Sequence, residues 1–237
     1  MTQMTLTILM PCLNEEAAVA FCIGEAKQFI QENRISAEIL LVDNGSSDAS
    51  VRIATELGAR IIVEKEQGYG HAIRAGIRAA KGKYIIMGDC DGSYDFRNLT
   101  SFIEKLDAGY SLVVGNRFCA GMEKGAMPLL HRYIGVPVLS WLARKRFGIE
   151  EVKDFHCGLR GFCREEAQQL PFHTGGMEFA TEMIVEFAAS GAKICEIPVA
   201  LRKDKRSGPS HLRTFRDGWR HLSYIIKKPN KKTASIS

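Results

Sequence analysis

Short apolar runs alternate with amphipathic segments through the first half of this 237-residue chain. The apolar runs are rich in Ile, Leu and Val and too short for helices, so they predict strands at 5–10, 37–42, 60–63, 84–87 and 111–115. Helical spacing between them predicts helices at 15–31, 48–57, 69–80 and 96–106, the second closed by Gly58. Strands and helices that alternate in this way indicate an α/β fold, with a mainly parallel sheet covered by helices on both faces.

The pattern changes after Gly115. A loop-like stretch leads to a predicted helix at 129–147 and then to a smaller α+β section, with strands at 159–163 and 193–201 and helices at 178–190 and 213–226. We therefore divide the chain into a core at 1–116, a second part of the same domain at 117–228, and a tail at 229–237 that we expect to be disordered.

Two carboxylates, Asp89 and Asp91, follow directly on the apolar run at 84–87. Ligands of open α/β sheets bind at the carboxyl ends of the strands, and Mg²⁺ or Mn²⁺ is commonly held there by a few carboxylates plus substrate phosphates. Asp91 and Gly92 also fit an ordinary turn, so the pair alone does not decide between a turn and a metal site.

Polar loops follow three other predicted strands and should meet the carboxylate pair at one edge of the sheet. The candidate residues in these loops are Pro11, Asn14, Glu15, Asp43, Gly68 and Gly70. Asn14 also suits a helix cap, but Asp43 stands at the mouth of a buried strand, where a carboxylate can accept a hydrogen bond from a base or a ribose. The glycines precede a helix whose N-terminus favours phosphate. Together the loops predict a site for a nucleoside diphosphate bridged by a divalent cation.

The order of these motifs resembles that of the family 2 inverting glycosyltransferases, which have the GT-A fold. The resemblance rests on the runs TILMPCLNEE, LLVDNGSSDAS, GYGHAIRAGIRAAKGKYIIMGDCDGSYDF and VVGNRF, and it extends from about residue 5 to about residue 209. Within the family the chain is most similar to polyprenyl-phosphate (dolichyl-phosphate-type) mannosyl- and glucosyltransferases. The later runs DFHCGLRGF and EIPVALRKDKRSG are also similar to those of bacterial members.

The resemblance implies a role for each candidate residue. The nucleotide contacts fall on Pro11, Asn14, Glu15 and Asp43. The pair Asp89 and Asp91 corresponds to the metal- and diphosphate-binding carboxylates, with Mg²⁺ or Mn²⁺ as the cofactor. Cationic contacts to phosphates fall on Arg117, Arg202 and Arg206, and the acceptor phosphate lies near Arg132. Cys90 stands where many relatives have alanine, and strand alternation should turn it away from the metal.

The reaction that the resemblance implies is transfer of a hexose, with inversion, from a donor of the GDP-mannose or UDP-glucose type to a polyprenyl phosphate. Asp89, Asp91 and Arg117 would stabilise the charge of the leaving diphosphate. A phosphate acceptor is already anionic and needs no dedicated base. A hydroxyl acceptor would need one, and Glu178 is then a candidate, although it also suits the acidic first turn of a helix.

Charge and composition bear on where the protein works. The formal net charge is +5, with the excess in the basic stretch after Arg202, and the aromatic interleaving of nucleic-acid binders is thin. Apolar residues and the basic cluster 144–146 in the predicted helix at 129–147 suit either a membrane interface or a core helix with a solvated basic end. Seven scattered cysteines, no signal-peptide layout and no run near the ~20 apolar residues of a membrane span favour a cytoplasmic protein that is peripheral to the membrane.

Two other functions fit parts of the pattern. A glycosyltransferase could act on a sugar or polysaccharide hydroxyl, although the chain lacks the Gln-x-x-Arg-Trp run expected of a processive enzyme. A nucleotidyltransferase or a non-catalytic nucleotide-binding module could use a similar sheet. Nucleotidyltransferases of that architecture usually have a Gly- and Arg-rich loop after the first strand, whereas this chain has Cys12-Leu13-Asn14-Glu15-Glu16.

Overall fold

A computed structural model describes residues 4–206 and 214–229. Seven strands form one sheet: β1 (Leu6–Cys12), β2 (Ala37–Asp43), β3 (Arg60–Val63), β4 (Tyr84–Met87), β5 (Leu112–Asn116), β6 (Arg160–Cys163) and β7 (Ile194–Pro198). Their order is β3-β2-β1-β4-β6-β5-β7, and β6 is antiparallel to both of its neighbours. The sheet is therefore mainly parallel, as predicted.

The helices are α1 (Val19–Asn33), α2 (Ser50–Glu56), α3 (Tyr69–Ala79), α4 (Thr100–Asp107), α5 (Val136–Phe147), α6 (Arg164–Gln169), α7 (Phe179–Ala189) and α8 (Thr214–Lys227). A π-helical turn, His131–Gly135, leads directly into α5. Right-handed crossovers place α1 and α2 on one face of the sheet and α3 on the other. Strands β1, β2 and β4 supply the centre of the core, where Leu9, Leu41 and Ile86 are fully buried.

The chain reverses its direction across the sheet between β1 and β4. From β1 it proceeds outward through β2 to β3, and α3 then carries it back to β4 on the other side of β1. The carboxyl ends of β1 and β4 diverge at this point, which is where open α/β sheets bind their ligands. The loops that follow these two strands carry the predicted nucleotide and metal residues.

Several predicted boundaries were wrong for local reasons. Helix α1 begins at Val19 rather than at residue 15, because Asn14 adopts a left-handed φ of 55° and residues 15–18 form a separate turn. Asn14 therefore does not cap α1. Helix α4 begins at Thr100 rather than at 96, because residues 95–98 form a separate turn in which the N–H of Asn98 donates to the carbonyl oxygen of Asp95 at 3.3 Å. Helix α6 and the reversed direction of β6 were not predicted.

Two other predictions concern the ends of elements. Gly58 has a φ of 75° directly after α2, which confirms it as the residue that ends that helix. Residue 213, at the start of the last predicted helix, and residues 230–237 of the predicted tail lie outside the described residues.

Candidate active site

A cleft of about 1510 Å³ opens at the point where the sheet reverses direction. One wall consists of the loops after β1, β2 and β4 together with the start of α3. The other wall consists of residues 125–139, the loop at 156–158, the start of α7 and the described part of α8. Residues 201–206 close the cleft beside the carboxylates. The cleft therefore joins the two halves of the predicted site.

Asp89 and Asp91 both line the cleft, in the turn that follows β4. Burial and the neighbouring charge of Asp91 raise the pKa of Asp89 to about 7, against the attraction of Arg206, Arg117 and Arg160. The Asp91 carboxylate accepts a hydrogen bond from the N–H of Ser93 at 2.9 Å. The intervening Cys90 instead contacts the thiols of Cys12 and Cys22 beneath the loop.

Gly158 makes room for this carboxylate pair. A Cβ atom at Gly158 would collide with the Oδ2 atom of Asp89. The hydroxyl of Tyr94 fixes the same loop by accepting a hydrogen bond from the N–H of Gly158 at 2.8 Å. Gly158 and Tyr94 therefore shape the floor below Asp89, and no spacing in the sequence pointed to either of them.

The positively charged side chain of Arg206 forms ion pairs with carboxylates of the cleft. Its Nη2 atom lies 2.6 Å from Asp91 Oδ2 and its Nη1 atom 3.5 Å from Glu15 Oε1. Burial raises the pKa of Glu15 to about 8, with Arg206 opposing the shift and Asp91 adding to it. With Asp204 at 3.5 Å, three acidic side chains converge on one positive charge, which is an electrostatic arrangement suited to a divalent cation.

The donor atoms fit a hard divalent cation. Asp89 and Asp91 offer only oxygen atoms, the type of ligand that Mg²⁺ and Mn²⁺ prefer. Within 4–206 and 214–229 no group of three or more His, Cys, Asp or Glu side chains is placed to hold a metal ion. Two carboxylates complete a Mg²⁺ site only with substrate phosphates or water, so the residues fit a cation that binds together with a nucleotide.

The loops after β1 and β2 are tied to each other. Asn14 Oδ1 accepts a hydrogen bond from the N–H of Ser47 at 2.8 Å, and Ser46 Oγ accepts one from the N–H of Asn14 at 3.0 Å. Asp43 is buried at the end of β2 and accepts hydrogen bonds from the N–H groups of Gly45 and Ser46 at 3.3 and 3.0 Å. Pro11, Asn14 and Glu15 line the cleft directly. Asp43 shapes the adjoining turn.

Asn44 is a site residue that the sequence analysis missed. Its side-chain N–H₂ group donates to the carbonyl oxygens of Glu64 and Glu66 at 3.0 and 2.9 Å, and its Oδ1 accepts the N–H of Gly68 at 2.7 Å. Asn44 lines the cleft and joins the loop after β2 to the start of α3. Its position in an Asn-Gly pair indicated only a turn.

Gly68 and Gly70 allow a close approach between two backbone segments. Gly68 has a φ of 144°, and a Cβ atom there would collide with the carbonyl oxygen of Gly175. The N–H of Gly70 donates to that same oxygen at 3.0 Å. Gly68 lines the cleft, whereas the space beside Gly70 is filled by residues 174–179.

The predicted arginines occupy different environments. Arg117 lines the cleft at the end of β5 and forms a buried bidentate pair with Asp154, at 2.7 and 2.8 Å. Arg202 forms ion pairs with Glu25, at 2.8 Å, and with Asp95. Neither Arg202 nor Arg132 is among the cleft-lining residues of the described part, and Arg132 packs over the ring of Tyr133 at 5.4 Å.

Glu178 is buried at the start of α7, and its Oε2 atom lies 3.0 Å from Nε of Arg220. Arg220 lines the cleft, but Glu178 does not. The ion pair directs the Glu178 carboxylate toward a cation rather than toward the carboxylate pair. This placement gives Glu178 a clear role in orienting Arg220.

Residues 7–170 match the family model described as glycosyl transferase family 2. The low-salt glycan biosynthesis hexosyltransferase Agl6 of Haloferax volcanii is 35% identical over 223 residues, 94% of this chain and 53% of the relative. This chain belongs to glycosyl transferase family 2. It is a glycosyltransferase, as the resemblance of its motifs implied.

Another relative is matched over almost its whole length. The dolichyl-phosphate hexose transferase of Haloferax volcanii is 32% identical over 222 residues, 94% of this chain and 92% of the relative. By contrast, the chain spans only about half of the length of Agl6. The dolichyl-phosphate beta-glucosyltransferase of Drosophila melanogaster is 25% identical over 226 residues, 83% of this chain and 66% of the relative.

Solved structures establish the fold. Glucosyl-3-phosphoglycerate synthase from Mycobacterium tuberculosis in complex with phosphoglyceric acid has a TM-score of 0.73 at 19% identity, covering 96% of this chain and 81% of that one. The complex of the same enzyme with Mg²⁺ and uridine diphosphate has a TM-score of 0.73 at 20% identity, with the same coverage. These likenesses confirm the predicted GT-A fold class.

Proposed function

We propose that this glycosyltransferase moves a hexose, with inversion, from a nucleoside diphosphate sugar to a polyprenyl phosphate. The observation that carries the proposal is the match to a dolichyl-phosphate hexose transferase over 94% of this chain and 92% of the relative. Because the match covers nearly the whole of both proteins, this chain is long enough to contain the donor and acceptor regions of that relative. The cleft between the carboxylate loops and α8 supplies a place for both substrates.

The donor nucleotide would lie along the loops after β1 and β2, on Pro11, Asn14 and Glu15, with Asp43 holding the turn beside it. Its diphosphate would reach Asp89 and Asp91 together with Mg²⁺ or Mn²⁺. A cation bound there supplies Lewis-acid stabilisation of the diphosphate charge. Arg206 already rests against Asp91 and would shift its hydrogen bonds to a phosphate oxygen. The donor is of the GDP-mannose or UDP-glucose type.

Transfer to a phosphate acceptor needs no side chain to accept a proton. A phosphate oxygen of the acceptor forms a bond to the anomeric carbon, and the bond from that carbon to the diphosphate oxygen breaks. Its electron pair leaves with the nucleoside diphosphate, and a single in-line displacement inverts the anomeric centre. The ion pair between Glu178 and Arg220 supports this choice over a hydroxyl acceptor, since Glu178 is directed away from the role of general base.

An apolar approach leads from the surface into the cleft. Leu129, Tyr133, Ile134 and Trp141, on or beside the π-helical turn and α5, are each more than half exposed, at 72, 66, 56 and 54%. Leu130 and Ile134 also line the cleft. Exposed apolar clusters of this kind mark contact surfaces, and the basic residues 144–146 at the end of α5 suit anionic head groups. We infer that the protein lies peripherally on the cytoplasmic face of the membrane. No helix among the described residues has the length and hydropathy of a membrane span.

The first experiment measures transfer from a panel of radiolabelled nucleotide sugars into lipid that extracts into organic solvent. Purified protein is given undecaprenyl phosphate in detergent with Mg²⁺ or Mn²⁺, and a parallel reaction contains a chelator. We expect one donor to give a lipid-soluble product that the chelator abolishes. Metal-dependent nucleotide binding without any lipid product would instead favour a hydroxyl acceptor or a non-catalytic module.

Replacement of one carboxylate tests the metal site in the same assay. Asp91→Asn should lower the rate by at least about a hundredfold, because it weakens stabilisation of the leaving diphosphate, while the fold is retained. Asp107→Asn is the matched control, since Asp107 is an exposed carboxylate whose hydrogen bond is to Tyr84, outside the cleft. A rate for Asp91→Asn close to that of Asp107→Asn would overturn the assignment of the metal ligands.

A further inference from the structure

The wall of the cleft opposite the nucleotide loops is basic and rich in histidine. The residues of this wall that carry ring or guanidinium nitrogens are Arg117, His131, His156, Arg216, Arg220 and His221. They come from four separate segments of the chain, so no sequence motif joins them. The proposed donor site does not use the three histidines, which leaves their chemistry to be explained.

A buried positive charge lies beneath this wall. Arg160, the first residue of β6, is fully buried and donates to three carbonyl oxygens: Phe155 at 2.8 Å, Cys157 at 2.8 Å and Ala180 at 2.6 Å. Among the described residues no carboxylate lies within ion-pair distance of Arg160, and the nearby carboxylate of Asp154 pairs directly with Arg117 instead. A buried charge without a direct ion pair favours the arrival of an anion nearby.

The field of Arg160 reaches both sides of the cleft. It opposes protonation of Asp89 on one side, and it lowers the pKa values of His156 and His221 on the other. Carbonyl groups satisfy its hydrogen bonds, and the carboxylate of Asp154 offsets its charge only from a longer distance. The charge of Arg117 is already paired with Asp154, so Arg160 is the buried cation of this wall that has no direct ion pair among the described residues.

The two ring nitrogens of His156 have different surroundings. Its Nδ1 atom lies 3.4 Å from the hydroxyl of Ser140, and that hydroxyl oxygen accepts the N–H of Phe155 at 3.3 Å. The Ser140 hydroxyl can donate its proton to Nδ1, a contact that is compatible with the tautomer that carries the histidine proton on Nε2. Nε2 is buried and has no hydrogen-bond partner within the part of the chain that the structure describes.

The rings of His156 and His221 contact each other edge to face, with centroids 4.4 Å apart. Burial, followed by the charges of His221 and Arg117, holds the pKa of His156 well below its ordinary range. His156 is therefore a neutral donor rather than a cation at neutral pH. Its N–H group can meet an anion without adding a third charge to the buried wall.

We propose that Nε2 of His156 donates a hydrogen bond to the phosphate of the acceptor, above the buried charge of Arg160, and that these two residues make the enzyme select a phosphate monoester over an alcohol. The inference rests on the proposed function. A neutral hydroxyl would bring no negative charge toward Arg160 and would need a base. His156 with its proton on Nε2 cannot supply that base on the side of the cleft.

The test compares acceptor and donor kinetics in two variants of His156. His156→Phe keeps an aromatic ring against His221 but removes both nitrogens, whereas His156→Gln keeps an N–H donor near the position of Nε2. The acceptors are undecaprenyl phosphate and undecaprenol in the same detergent, with the donor identified by the panel. His173→Phe is the matched control, because His173 is exposed and does not line the cleft.

We expect His156→Phe to raise the KM for undecaprenyl phosphate at least tenfold while the KM for the nucleotide sugar stays within twofold. His156→Gln should recover most of that loss, and His173→Phe should behave as the unchanged protein. Undecaprenol should accept no sugar in any of them. Nucleotide binding, measured by calorimetry, should be equal in all four proteins, which separates an acceptor effect from damage to the fold.

Three outcomes would overturn the inference. The first is an unchanged acceptor KM in His156→Phe, the second an equal rise of the acceptor and donor KM, and the third a loss that His156→Gln does not reduce. Failure of the proposed function is recognised separately, because the unchanged protein would then give no product with undecaprenyl phosphate at all. Transfer by the unchanged protein followed by one of the three outcomes rejects the role of His156 alone.

Discussion

Individual acidic residues in the cleft are held in a crowded, energetically unfavourable arrangement until a ligand arrives. Glu15, Asp91 and Asp204 lie within ion-pair distance of the one guanidinium of Arg206, and the charge of Asp91 acts on the buried Asp89. Burial disfavours the negative charges of Glu15 and Asp89, and the neighbouring carboxylates add repulsion. A cation bound with a nucleotide would relieve both effects, so the same residues that suit catalysis lower the stability of the free protein.

The first prediction concerns stability as a function of pH at Glu15. Its pKa is raised from 4.5 to about 8 in the folded protein, so the folded state binds this proton more tightly than the unfolded state. The resulting stabilisation is fully present below about pH 4.5 and is lost as the pH rises to about 8. Glu15→Gln should therefore flatten the decline in the free energy of unfolding over this range.

Urea unfolding at several pH values, with chelator and without nucleotide, measures that decline. Glu56→Gln is the control, because Glu56 is exposed and pairs only with Arg52 one turn earlier on α2. The explanation fails if Glu15→Gln and Glu56→Gln follow the same pH dependence as the unchanged protein.

How far the site could be predicted depends on where its partners lie in the sequence. Asp89 and Asp91 were found because an apolar strand and the polar residues that end it are adjacent in the chain. Asp154 and Arg160 were not found, since the partner of Asp154 is 37 residues away and the carbonyl groups that hold Arg160 belong to two segments. Side chains that act on each other across the fold leave no local pattern.

At the level of elements, local sequence pattern explains which predictions succeeded. Strands β3 and β4 agree with their predicted bounds because each is a short run rich in apolar residues, although only β4 is buried throughout. The antiparallel direction of β6 depends on its pairing with β4 and β5, which no single segment reveals. Helix ends were less accurate where the chain forms a separate turn before the helix, as residues 95–98 do before α4.

The π-helical turn and α5 have one buried face and one exposed face. Ala143 and Phe147 are buried against the domain, while Tyr133, Ile134 and Trp141 face outward. The sequence of this segment suits either a core helix or an interfacial helix. In the structure the segment has one packed face and one exposed apolar face, which is compatible with the proposed membrane contact.

The second prediction is that Trp141→Glu weakens attachment to membranes without impairing the chemistry. A charge in place of an exposed apolar side chain costs membrane binding but little folding energy, because Trp141 is already 54% exposed. Cosedimentation with anionic lipid vesicles should fall by about tenfold or more, and transfer to undecaprenyl phosphate in vesicles should fall with it. Transfer in detergent should stay near the original rate.

Val63→Glu provides the comparison for this change. Val63 is 65% exposed but lies on the edge strand β3, away from α5. Equal loss of vesicle binding in the two variants, or undiminished binding by Trp141→Glu, would exclude the π-helical turn and α5 as the membrane-contacting surface.

At the level of the whole molecule, the reversal between β1 and β4 places an acidic wall opposite a basic one. The carboxylates come from the loops of the parallel half of the sheet, and the basic groups come from segments that follow β5. Neither wall can bind an anionic donor alone, since Asp89 and Asp91 repel the diphosphate until their charge is neutralised. Nucleotide and cation should therefore bind as one unit.

The last prediction follows from that dependence. A ligand at about a hundred times its Kd stabilises a protein by about 2.7 kcal/mol, which corresponds to a rise in Tm of roughly 5–10 °C for a chain of this length. The cognate nucleoside diphosphate with Mn²⁺ should give this rise, while either one alone gives little. Asp91→Asn should abolish the rise and Asp107→Asn should preserve it. A panel of GDP, UDP and other nucleoside diphosphates then identifies the base before any sugar is tested. An equal rise in Tm in the presence of a chelator would show that nucleotide binding does not depend on the cation.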